Sequence, residues 1–332
     1  MDDLLQATSR SFHLTLRVLP AAIRPQISLA YLLARTADTI ADTDLLPVEQ
    51  RLDALRRLRA RILDQGAAPL NFGELAKNQG ADAERRLLDA AEDSLAALKK
   101  SPAQDQKSMR DVLAIITSGQ ELDLQRFATA SAEKIVALET EAELDDYTWR
   151  VAGCVGEFWS NLCRANLFPR TRLDEKEFIA DGIRFGKGLQ LINILRDLPA
   201  DLKKGRCYLP TERLEPAKLI PQTLLSPVNE ARFLQVFRRY LAQAAANLAA
   251  GWRYTNSLPA GQFRLRLACA WPILIGRRTV GKLQDASVLD LQQRIKVSHR
   301  EMRSIILRSV LAAPLPFAWR RLFPPSGIFI PK

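Results

Sequence analysis

Two pairs of aspartates constrain this chain more than any other feature of its sequence. Asp38 and Asp42 are four residues apart, and so are Asp197 and Asp201. On a helix this spacing places both carboxylates of a pair on one face, separated by about 6 Å along the axis. The residues just before each pair are mainly apolar, which predicts that both pairs lie on helices that are otherwise largely buried.

A half-buried pair of carboxylates favours a bound cation. Two such charges about 6 Å apart repel by about 3 kcal/mol at an effective dielectric constant of about 20, whereas an exposed like-charged pair on a helix costs only a few tenths of a kcal/mol. One pair alone is typical of an ordinary acidic surface turn. Two pairs, each with an arginine alongside, instead indicate metal binding.

The residue types favour magnesium over zinc. Carboxylate oxygens suit Mg²⁺ that is shared with substrate phosphates, and zinc prefers Cys and His. His13 and His299 are the only histidines, and the four cysteines show no Cys-x-x-Cys spacing. A phosphate-bearing ligand, in particular a diphosphate, is therefore expected.

Arginines occur where such an anion would need them. Arg35 precedes Asp38 by three residues, Arg196 is next to Asp197, and Arg206 follows Asp201. Near the N-terminus, the run 9–11 is Ser-Arg-Ser, which offers two hydroxyls and a guanidinium to a phosphate. The same run is also typical of a plain helix N-cap.

The hydrophobic pattern predicts an all-α fold in a single domain over residues 1–332. Apolar residues recur at helical spacing, and two stripes of them are Leu52, Leu55, Leu58 and Ile62, and Val236, Tyr240, Ala244 and Leu248. No alternating run is long enough to indicate a sheet, and no break is long or polar enough to be a linker between domains. Gly153 and Gly156 are costly in a helix, which predicts close approach of another helix or of a ligand.

Four segments carry a resemblance to a known family. They are Ser9 to Phe12, Tyr31 to Asp42, Tyr147 with Val151 to Gly156, and Gln190 to Pro210. In this order they resemble the motifs of the squalene/phytoene synthase family, and residues 31–38 are more similar to squalene synthases than to phytoene synthases. The resemblance implies an isoprenoid synthase-type helical bundle around a central cavity. It also implies that two prenyl diphosphates are joined head to head with Mg²⁺.

The resemblance further implies roles for individual residues. The implied metal ligands are Asp38, Asp42, Asn193, Asp197 and Asp201. The implied diphosphate contacts are Ser9, Arg10, Ser11, Arg35, Arg196 and Arg206. The implied contacts to the apolar part of the substrate are Val151, Val155, Phe158, Leu189, Gln190, Cys269 and Pro272. Tyr147 would take or relay a proton, and Tyr31 would assist it.

Reduction by NADPH is implied through Asn193 and Lys296. The segment from Lys296 to Ser298 departs from squalene synthases at its last residue, because Ser298 stands where they tend to have arginine. Pro199 lies between Asp197 and Asp201, and proline predicts that the helix ends or bends at this point.

The C-terminal part is strongly basic. Residues 252–332 contain 14 Lys and Arg against three Asp and Glu, which equals the net charge of +11 of the whole chain. Without a recognised nucleic-acid-binding motif, and with arginines interleaved among Leu, Ile and Val, this region is not expected to bind nucleic acid. A basic amphipathic segment at about residues 305–332 leaves two interpretations open: contact with a membrane surface, or packing back on the domain.

The first residues lack the charged and apolar regions of a signal peptide, and no apolar run reaches the ~18 residues of a membrane span. A cytoplasmic protein is therefore expected, and peripheral contact with a membrane stays open.

Together these features predict an Mg²⁺-dependent enzyme that makes squalene from two farnesyl diphosphates through presqualene diphosphate. Three alternatives within the enzyme class stay open: an enzyme that stops at presqualene diphosphate, one that forms hydroxysqualene, and a phytoene or dehydrosqualene synthase. A non-catalytic helical lipid- or nucleic-acid-binding protein with structural ion sites is the alternative from another class.

Overall fold

The computed structural model describes residues 2–9, 12–43, 45–290, 292 and 295–324. The chain forms two compact units. The first comprises residues 1–128 and 161–169, and the second comprises residues 129–160 and 170–332. A single domain over all 332 residues remains a prediction.

Helices dominate both units, which confirms the all-α prediction. The first unit contains α1 (Asp2–Ser9), α2 (Phe12–Val18), α3 (Arg24–Asp42), α4 (Val48–Ile62), α5 (Gly73–Lys77), α6 (Asp82–Asp89), α7 (Ala91–Lys100) and α8 (Ala103–Arg126). The chain continues with β1 (Val136–Ala137), α9 (Glu141–Thr148), a π-helical turn (Trp149–Gly153), α10 (Cys154–Leu167), α11 (Glu175–Lys203), β2 (Arg206–Cys207) and α12 (Thr211–Leu214). After three 3₁₀ turns (Glu215–Ala217, Pro221–Leu225 and Pro227–Asn229) come α13 (Glu230–Ser257), α14 (Phe263–Gln284), α15 (His299–Ala312) and α16 (Pro316–Arg321).

In the first unit, α3 packs against α4, α6, α7 and α8. Its side chains Leu32, Leu33 and Ile40 are almost completely buried, and burial of each such side chain contributes about 1.5–3 kcal/mol. The predicted stripe on α4 is confirmed at Leu55, Leu58 and Ile62, which are all buried, while Leu52 at its start is half-buried. This packing holds the end of α3, where the first aspartate pair lies.

In the second unit, α11 packs against α13 and α14. The predicted stripe on α13 is confirmed, because all four of its members are buried. Helix α11 begins where the Asp174 side chain accepts a hydrogen bond from the backbone N–H of Glu177, a typical N-cap. Strands β1 and β2 pair in parallel, with Val136 opposite Arg206 and Ala137 opposite Cys207.

Glycines let α11 lie directly against the chain that precedes it. A Cβ on Gly156 would be 2.1 Å from the Gly182 carbonyl oxygen, and one on Gly186 would be 2.2 Å from the Ala152 carbonyl oxygen. Backbone therefore contacts backbone at these two points. A Cβ on Gly153 would also lie within 3.3 Å of side chains of α11, so the close approach predicted for Gly153 and Gly156 is confirmed.

The C-terminal part of the described chain packs back on the second unit through aromatic side chains. Trp319 is buried and stacks on Trp252 with ring centroids 5.3 Å apart, and its Nε1 donates to Asn256 Oδ1 at 2.8 Å. Phe323 stacks on Trp252 as well, at 5.4 Å. No helix in the described part of the chain has the length and apolar character needed to cross a membrane.

We expect Gly156→Ala to destabilise the protein by roughly 1–3 kcal/mol, because the new methyl group would force α10 and α11 apart. Thermal and denaturant unfolding measure this change. Gly281→Ala is the matched control, since Gly281 also lies in a helix and a Cβ there meets no atom within 4 Å; it should keep or slightly raise stability. Equal melting temperatures of the two variants would contradict the proposed backbone contact.

Candidate functional site

The first aspartate pair lies at the C-terminal end of α3, where Asp38 and Asp42 are one helical turn apart. Gln120 on α8 donates a hydrogen bond from Nε2 to Asp38 Oδ1. Arg35 Nη1 lies 3.9 Å from Asp38 Oδ2, and Arg35 Nη2 lies closer to Glu84 on α6, at 3.3 Å from Oε1. Arg35 therefore neutralises Asp38 only weakly.

The surroundings of Asp38 disfavour its negative charge. Desolvation by the surrounding protein and repulsion from Asp42 raise the pKa of Asp38 to about 7, against the opposing effects of Arg35 and Gln120. The Asp38 side chain nevertheless keeps 44% of its surface accessible. A cation from solvent can therefore reach the carboxylate, and its positive charge would stabilise the ionised form.

The donor set fits a metal that is shared with a substrate. Among the described residues, no three His, Cys, Asp or Glu side chains come together as a metal cluster. Pairs of carboxylates would fill only part of the coordination shell of Mg²⁺, which commonly takes its remaining ligands from phosphates and water. The residues thus fit Mg²⁺ better than a metal held by protein ligands alone.

Other predicted residues of the first unit make local contacts. The Tyr31 hydroxyl donates to the Thr8 carbonyl oxygen at 3.1 Å, and its ring lies 5.1 Å from that of Phe12. Ser9 is buried, and its hydroxyl donates to the Leu5 carbonyl oxygen. The predicted phosphate contacts Arg10 and Ser11 lie outside the described residues.

The second aspartate pair lies on α11. Of the two outcomes predicted at Pro199, a helix end and a bend, the helix end is wrong, because α11 continues to Lys203 with the proline inside it. The proline removes only one backbone hydrogen bond, and the buried side chains Leu195, Leu198 and Leu202 on both sides hold the helix in the core.

Because the helix is continuous, Asn193, Asp197 and Asp201 follow one another at four-residue intervals on one face. Arg196 binds Asp197 through two hydrogen bonds, with Nε 2.8 Å from Oδ1 and Nη2 2.5 Å from Oδ2. This contact raises the pKa of the Arg196 guanidinium, and the Asp201 charge adds to the rise. The second motif therefore already contains a paired cation.

Tyr147 lies at the end of α9, immediately before the π-helical turn. Gln190 on α11 points its Nε2 at the Tyr147 hydroxyl oxygen at 3.4 Å, a long hydrogen bond, and the Tyr208 ring stacks on Tyr147 at 4.6 Å. Asn193 Nδ2 in turn lies 3.3 Å from Gln190 Oε1. The structure thus brings three predicted residues, Tyr147, Gln190 and Asn193, into one chain of polar contacts.

The predicted apolar wall residues differ in exposure. Phe158 is buried, Val151 and Leu189 are half-buried, and Val155 is exposed. Cys269 and Pro272 lie within α14, and burial raises the pKa of the Cys269 thiol to about 12. The Cys269 side chain is consequently a packing group.

The predicted diphosphate contact Arg206 lies in β2 and is half-buried.

The two residues predicted to bind NADPH, Asn193 and Lys296, contact different parts of the protein. Within the described ranges, no hydrogen bond or ion pair joins Lys296 to Asn193. Lys296 instead lines a cavity of about 350 Å³ together with Arg278, Lys282 and Asp285. Its backbone carbonyl oxygen accepts a hydrogen bond from Lys282 Nζ at 2.8 Å.

The sequence alone did not predict three side chains that contact site residues: Gln120, Glu84 and Tyr208. Each contacts a predicted residue from a helix or segment distant in the sequence; Gln120, for example, is 82 residues from Asp38. No local pattern marks these residues. Of the three, Tyr208 lies inside the motif segment from Gln190 to Pro210, although nothing in that motif predicts its contact with Tyr147.

Comparison with known proteins relates the chain to one family. The profile of the squalene/phytoene synthase family matches residues 5–301. A presqualene diphosphate synthase of Zymomonas mobilis is 29% identical over 255 residues, which cover 77% of this chain and 74% of that protein. A squalene synthase of Schizosaccharomyces pombe is 26% identical over 310 residues, covering 93% of this chain and 64% of that protein.

Other relatives are longer than this chain. The chain spans 39–43% of the length of the fungal bifunctional lycopene cyclase/phytoene synthases that it matches at 27–30% identity. Among solved structures, TcSQS in complex with the ligand E5700 has a TM-score of 0.78 at 22% identity, over 97% of this chain and 88% of that one. This likeness confirms the isoprenoid synthase-type fold.

Asp38 should make stability depend on pH. Its folded pKa of about 7 exceeds the ordinary value of 3.8, so the folded state keeps a proton that the unfolded state releases between about pH 4 and 7. The contribution of Asp38 to the free energy of unfolding is fully present below about pH 4 and decreases as pH rises to about 7. Asp38→Asn removes the titration, so we expect its melting temperature to fall less than that of the wild type between pH 5 and 7.

Asp53→Asn is the control for this comparison, because it removes an exposed carboxylate on α4. Its melting temperature should follow the wild-type pH dependence. Addition of Mg²⁺ with inorganic diphosphate should stabilise the wild type most at the upper end of the window, where the carboxylate is ionised. Parallel curves for Asp38→Asn and the wild type would rule out the raised pKa.

Proposed function

The chain belongs to the squalene/phytoene synthase family of prenyltransferases, and we propose that it makes squalene from two farnesyl diphosphates through presqualene diphosphate. One observation carries the proposal: the family match extends over residues 5–301 and includes both aspartate motifs, each with its adjacent arginine. A protein that merely binds structural ions or lipid would not need arginines beside both pairs.

We assign Asp38, Asp42, Asn193, Asp197 and Asp201 to Mg²⁺. When bound, the metal neutralises the diphosphate and stabilises the leaving group as it departs. The protein's own contribution is to present ionised carboxylates. At Asp38 this requires loss of the proton that desolvation favours, so metal binding and deprotonation are coupled.

The diphosphate contacts are assigned to Arg35, Arg196 and Arg206, together with the segment 9–11. Arg35 lies near Asp38 and Glu84, and Arg196 is paired with Asp197. A cation on the carboxylates would weaken these ion pairs and leave the guanidiniums to the phosphate oxygens, to which they bind in bidentate fashion. The arginines thus serve as counter-ions before the substrate arrives and as ligands afterwards.

In the first half-reaction one diphosphate and one proton are lost as the two farnesyl groups join. We assign the proton to the Tyr147 hydroxyl, which Gln190 contacts at 3.4 Å. Through this contact the hydroxyl joins the polar side chains of Gln190 and Asn193, which can orient it for proton transfer with a substrate group. Val151, Val155, Phe158 and Leu189 would shield the cationic carbon from water.

For the second half-reaction, a bound NADPH would supply the hydride that replaces the second diphosphate as it leaves. We assign Lys296 to the cofactor phosphates by charge and Asn193 by its place beside the second acidic motif. Lys296 shares its cavity with Arg278, Lys282 and Asp285. Because Arg278 and Lys282 are paired with Glu301, Lys296 is the cation in this cavity that we assign to the cofactor. A cytoplasmic location stays a prediction.

A second candidate function is synthesis of presqualene diphosphate without reduction. It is favoured by the Zymomonas mobilis relative, whose alignment covers about three quarters of both chains. The same chemistry without hydride would give hydroxysqualene by capture of water or dehydrosqualene by loss of a proton. Phytoene synthesis would require the longer geranylgeranyl diphosphate.

The proposed function is tested by identifying products from farnesyl diphosphate and Mg²⁺ with and without NADPH. We expect squalene with NADPH and presqualene diphosphate or other non-reduced products without it. Lys296→Ala should shift the products towards the non-reduced ones, with recovery at high NADPH. Identical products with and without NADPH would replace the squalene assignment by the second candidate, and absence of any product would refute both.

Tyr147→Phe should lower turnover to presqualene diphosphate by about 10²–10⁴-fold, the usual contribution of a positioned acid or base. Melting temperature should change little, because a single part-buried hydrogen bond such as the one with Gln190 contributes only about 1 kcal/mol. Tyr240→Phe is the matched control: its hydroxyl bonds Glu141 at 3.2 Å, so its loss should lower the melting temperature and spare turnover. Near-normal turnover in Tyr147→Phe would show that this hydroxyl moves no proton.

A further inference from the structure

Exposed apolar side chains are concentrated on one short part of the chain. Among the described residues, eleven large hydrophobic side chains are exposed, and five of these lie within residues 307–317. These five define what we call the α15–α16 face: Leu307, Val310, Leu311, Leu315 and Phe317. Between 45% and 68% of each is accessible, and such a concentration marks an interaction surface.

The opposite side of the same helices is firmly packed. Ser309 and Ala312 are buried, and Trp271 Nε1 of α14 donates to Ser309 Oγ at 2.9 Å. Trp319 anchors α16 on α13 through its stack on Trp252. Leu307 and Leu311, spaced by one helical turn, therefore point outward because the other side of α15 is held in the core.

Positive charge surrounds this face. Residues 299–324 contain five arginines, Arg300, Arg303, Arg308, Arg320 and Arg321, all of them exposed. The only acidic residue in that range is Glu301, and it is already neutralised by Arg278 at 2.7 Å and Lys282 at 2.8 Å. Arg321 places its guanidinium over the Phe317 ring at 4.1 Å, so charge and apolar surface are interleaved.

A basic cavity adjoins the face. It has a volume of about 340 Å³ and lies between α14 and α15, with Arg277, Arg278 and Arg308 above an apolar floor that includes Leu274 and Ile305. Arg308 is three residues from Leu311, so the cavity and the face meet on one side of α15.

Two of the cavity arginines lack an acidic partner. Within the described residues, no carboxylate lies within 4 Å of the guanidinium of Arg277 or Arg308. Arg277 donates from Nη1 to the Leu322 carbonyl oxygen at 3.1 Å, and desolvation by burial lowers its pKa. A partly desolvated guanidinium without a carboxylate partner favours an anion from outside, and the apolar floor favours one attached to a hydrocarbon chain.

We propose that the α15–α16 face docks on the surface of a bilayer containing anionic phospholipid. The five apolar side chains enter the boundary between headgroups and acyl chains, the arginines around them face the headgroup phosphates, and the cavity receives one of those phosphates. This is the arrangement of a helix that lies in the membrane plane. It is independent of which reaction the enzyme catalyses.

The charge pattern selects this partner over two others. A second copy of the chain would bring two arginine-rich faces together, and their like charges would repel. A nucleic acid would match the arginines but would leave five apolar side chains against phosphate and water. An anionic bilayer satisfies both the charge and the apolar surface.

Vesicle co-sedimentation tests the proposal with the full-length protein. We expect binding to vesicles of phosphatidylcholine with phosphatidylglycerol, little binding to phosphatidylcholine alone, and weakening by salt. Leu307→Ser combined with Leu311→Ser should weaken binding on the order of tenfold. The matched control is Ile220→Ser combined with Val228→Ser, which removes two aliphatic side chains that are also more than half exposed but lie elsewhere in the second unit, and it should bind like the wild type.

A second comparison isolates the charge. Arg308→Gln should weaken binding to anionic vesicles by about fivefold, whereas Arg238→Gln, which removes an exposed arginine on α13, should not. Melting temperatures confirm that all variants are folded. Phenylalanine at 317 offers a further variant, Phe317→Trp, whose fluorescence should shift to shorter wavelength on binding.

Three results would overturn the proposal. Equal binding by the leucine variant and its control would show that the face does not contact lipid. Stabilisation by free inorganic phosphate that depends on Arg308, without vesicle binding, would make the cavity a site for a soluble anion. Loss of self-association in the leucine variant, measured by sedimentation velocity and without vesicle binding by the wild type, would make the face a contact between copies.

Discussion

The second unit depends on the direct contact between the backbone of α11 and the π-helical turn and α10 that precede it. Each glycine in a helix costs up to about 1 kcal/mol relative to alanine, yet Gly156, Gly182 and Gly186 all lie at points where a Cβ would clash. The cost is offset by burial, since α11 contributes Leu191, Ile192, Leu195 and other side chains to the core. Immediately before the π-helical turn, Tyr147 contacts Gln190 of α11.

A π-helical turn takes part in this contact, since a Cβ on Gly186 of α11 would be 2.2 Å from the carbonyl oxygen of Ala152 in the turn. The turn inserts between α9 and α10, immediately after Tyr147, and π-helical turns of this kind frequently occur at functional sites. On the two sides of the turn, Gly156 of α10 and the hydroxyl of Tyr147 both contact α11. Packing and candidate chemistry are therefore properties of one short segment.

The two acidic motifs differ in how their charge is balanced. On α3, desolvation and repulsion from Asp42 raise the pKa of Asp38 to about 7. The opposing effect of Arg35 is weaker, because its guanidinium lies 3.9 Å from the carboxylate. On α11, Asp197 has a bidentate partner in Arg196. The first motif thus gains most from an added cation, while the second would first have to release its own. This difference supports distinct roles for the two motifs in binding.

Much of the fold followed from the sequence. The helical stripes on α4 and α13, the i,i+4 aspartate pairs and the close approach at Gly153 and Gly156 are local patterns, and local patterns report which face of a helix is buried. Pro199 shows the limit of such reasoning. Its local preference predicts a helix end or a bend, but the helix does not end there, because the burial of Leu195, Leu198 and Leu202 outweighs the loss of one hydrogen bond.

The sequence by itself determined the residue types of the candidate site, because carboxylates, arginines and a tyrosine at fixed spacing define its chemistry. Only the tertiary structure decided which side chains stand beside them, such as Gln120 at Asp38 and Tyr208 at Tyr147. For the C-terminal region, too, the sequence determined one part and the tertiary structure another. Its basic and apolar composition was evident, but whether it packs or is exposed depended on the Trp319–Trp252 stack, which buries one side of α16 and leaves the other uncovered. Contacts between distant segments arise from packing, and no single segment encodes them.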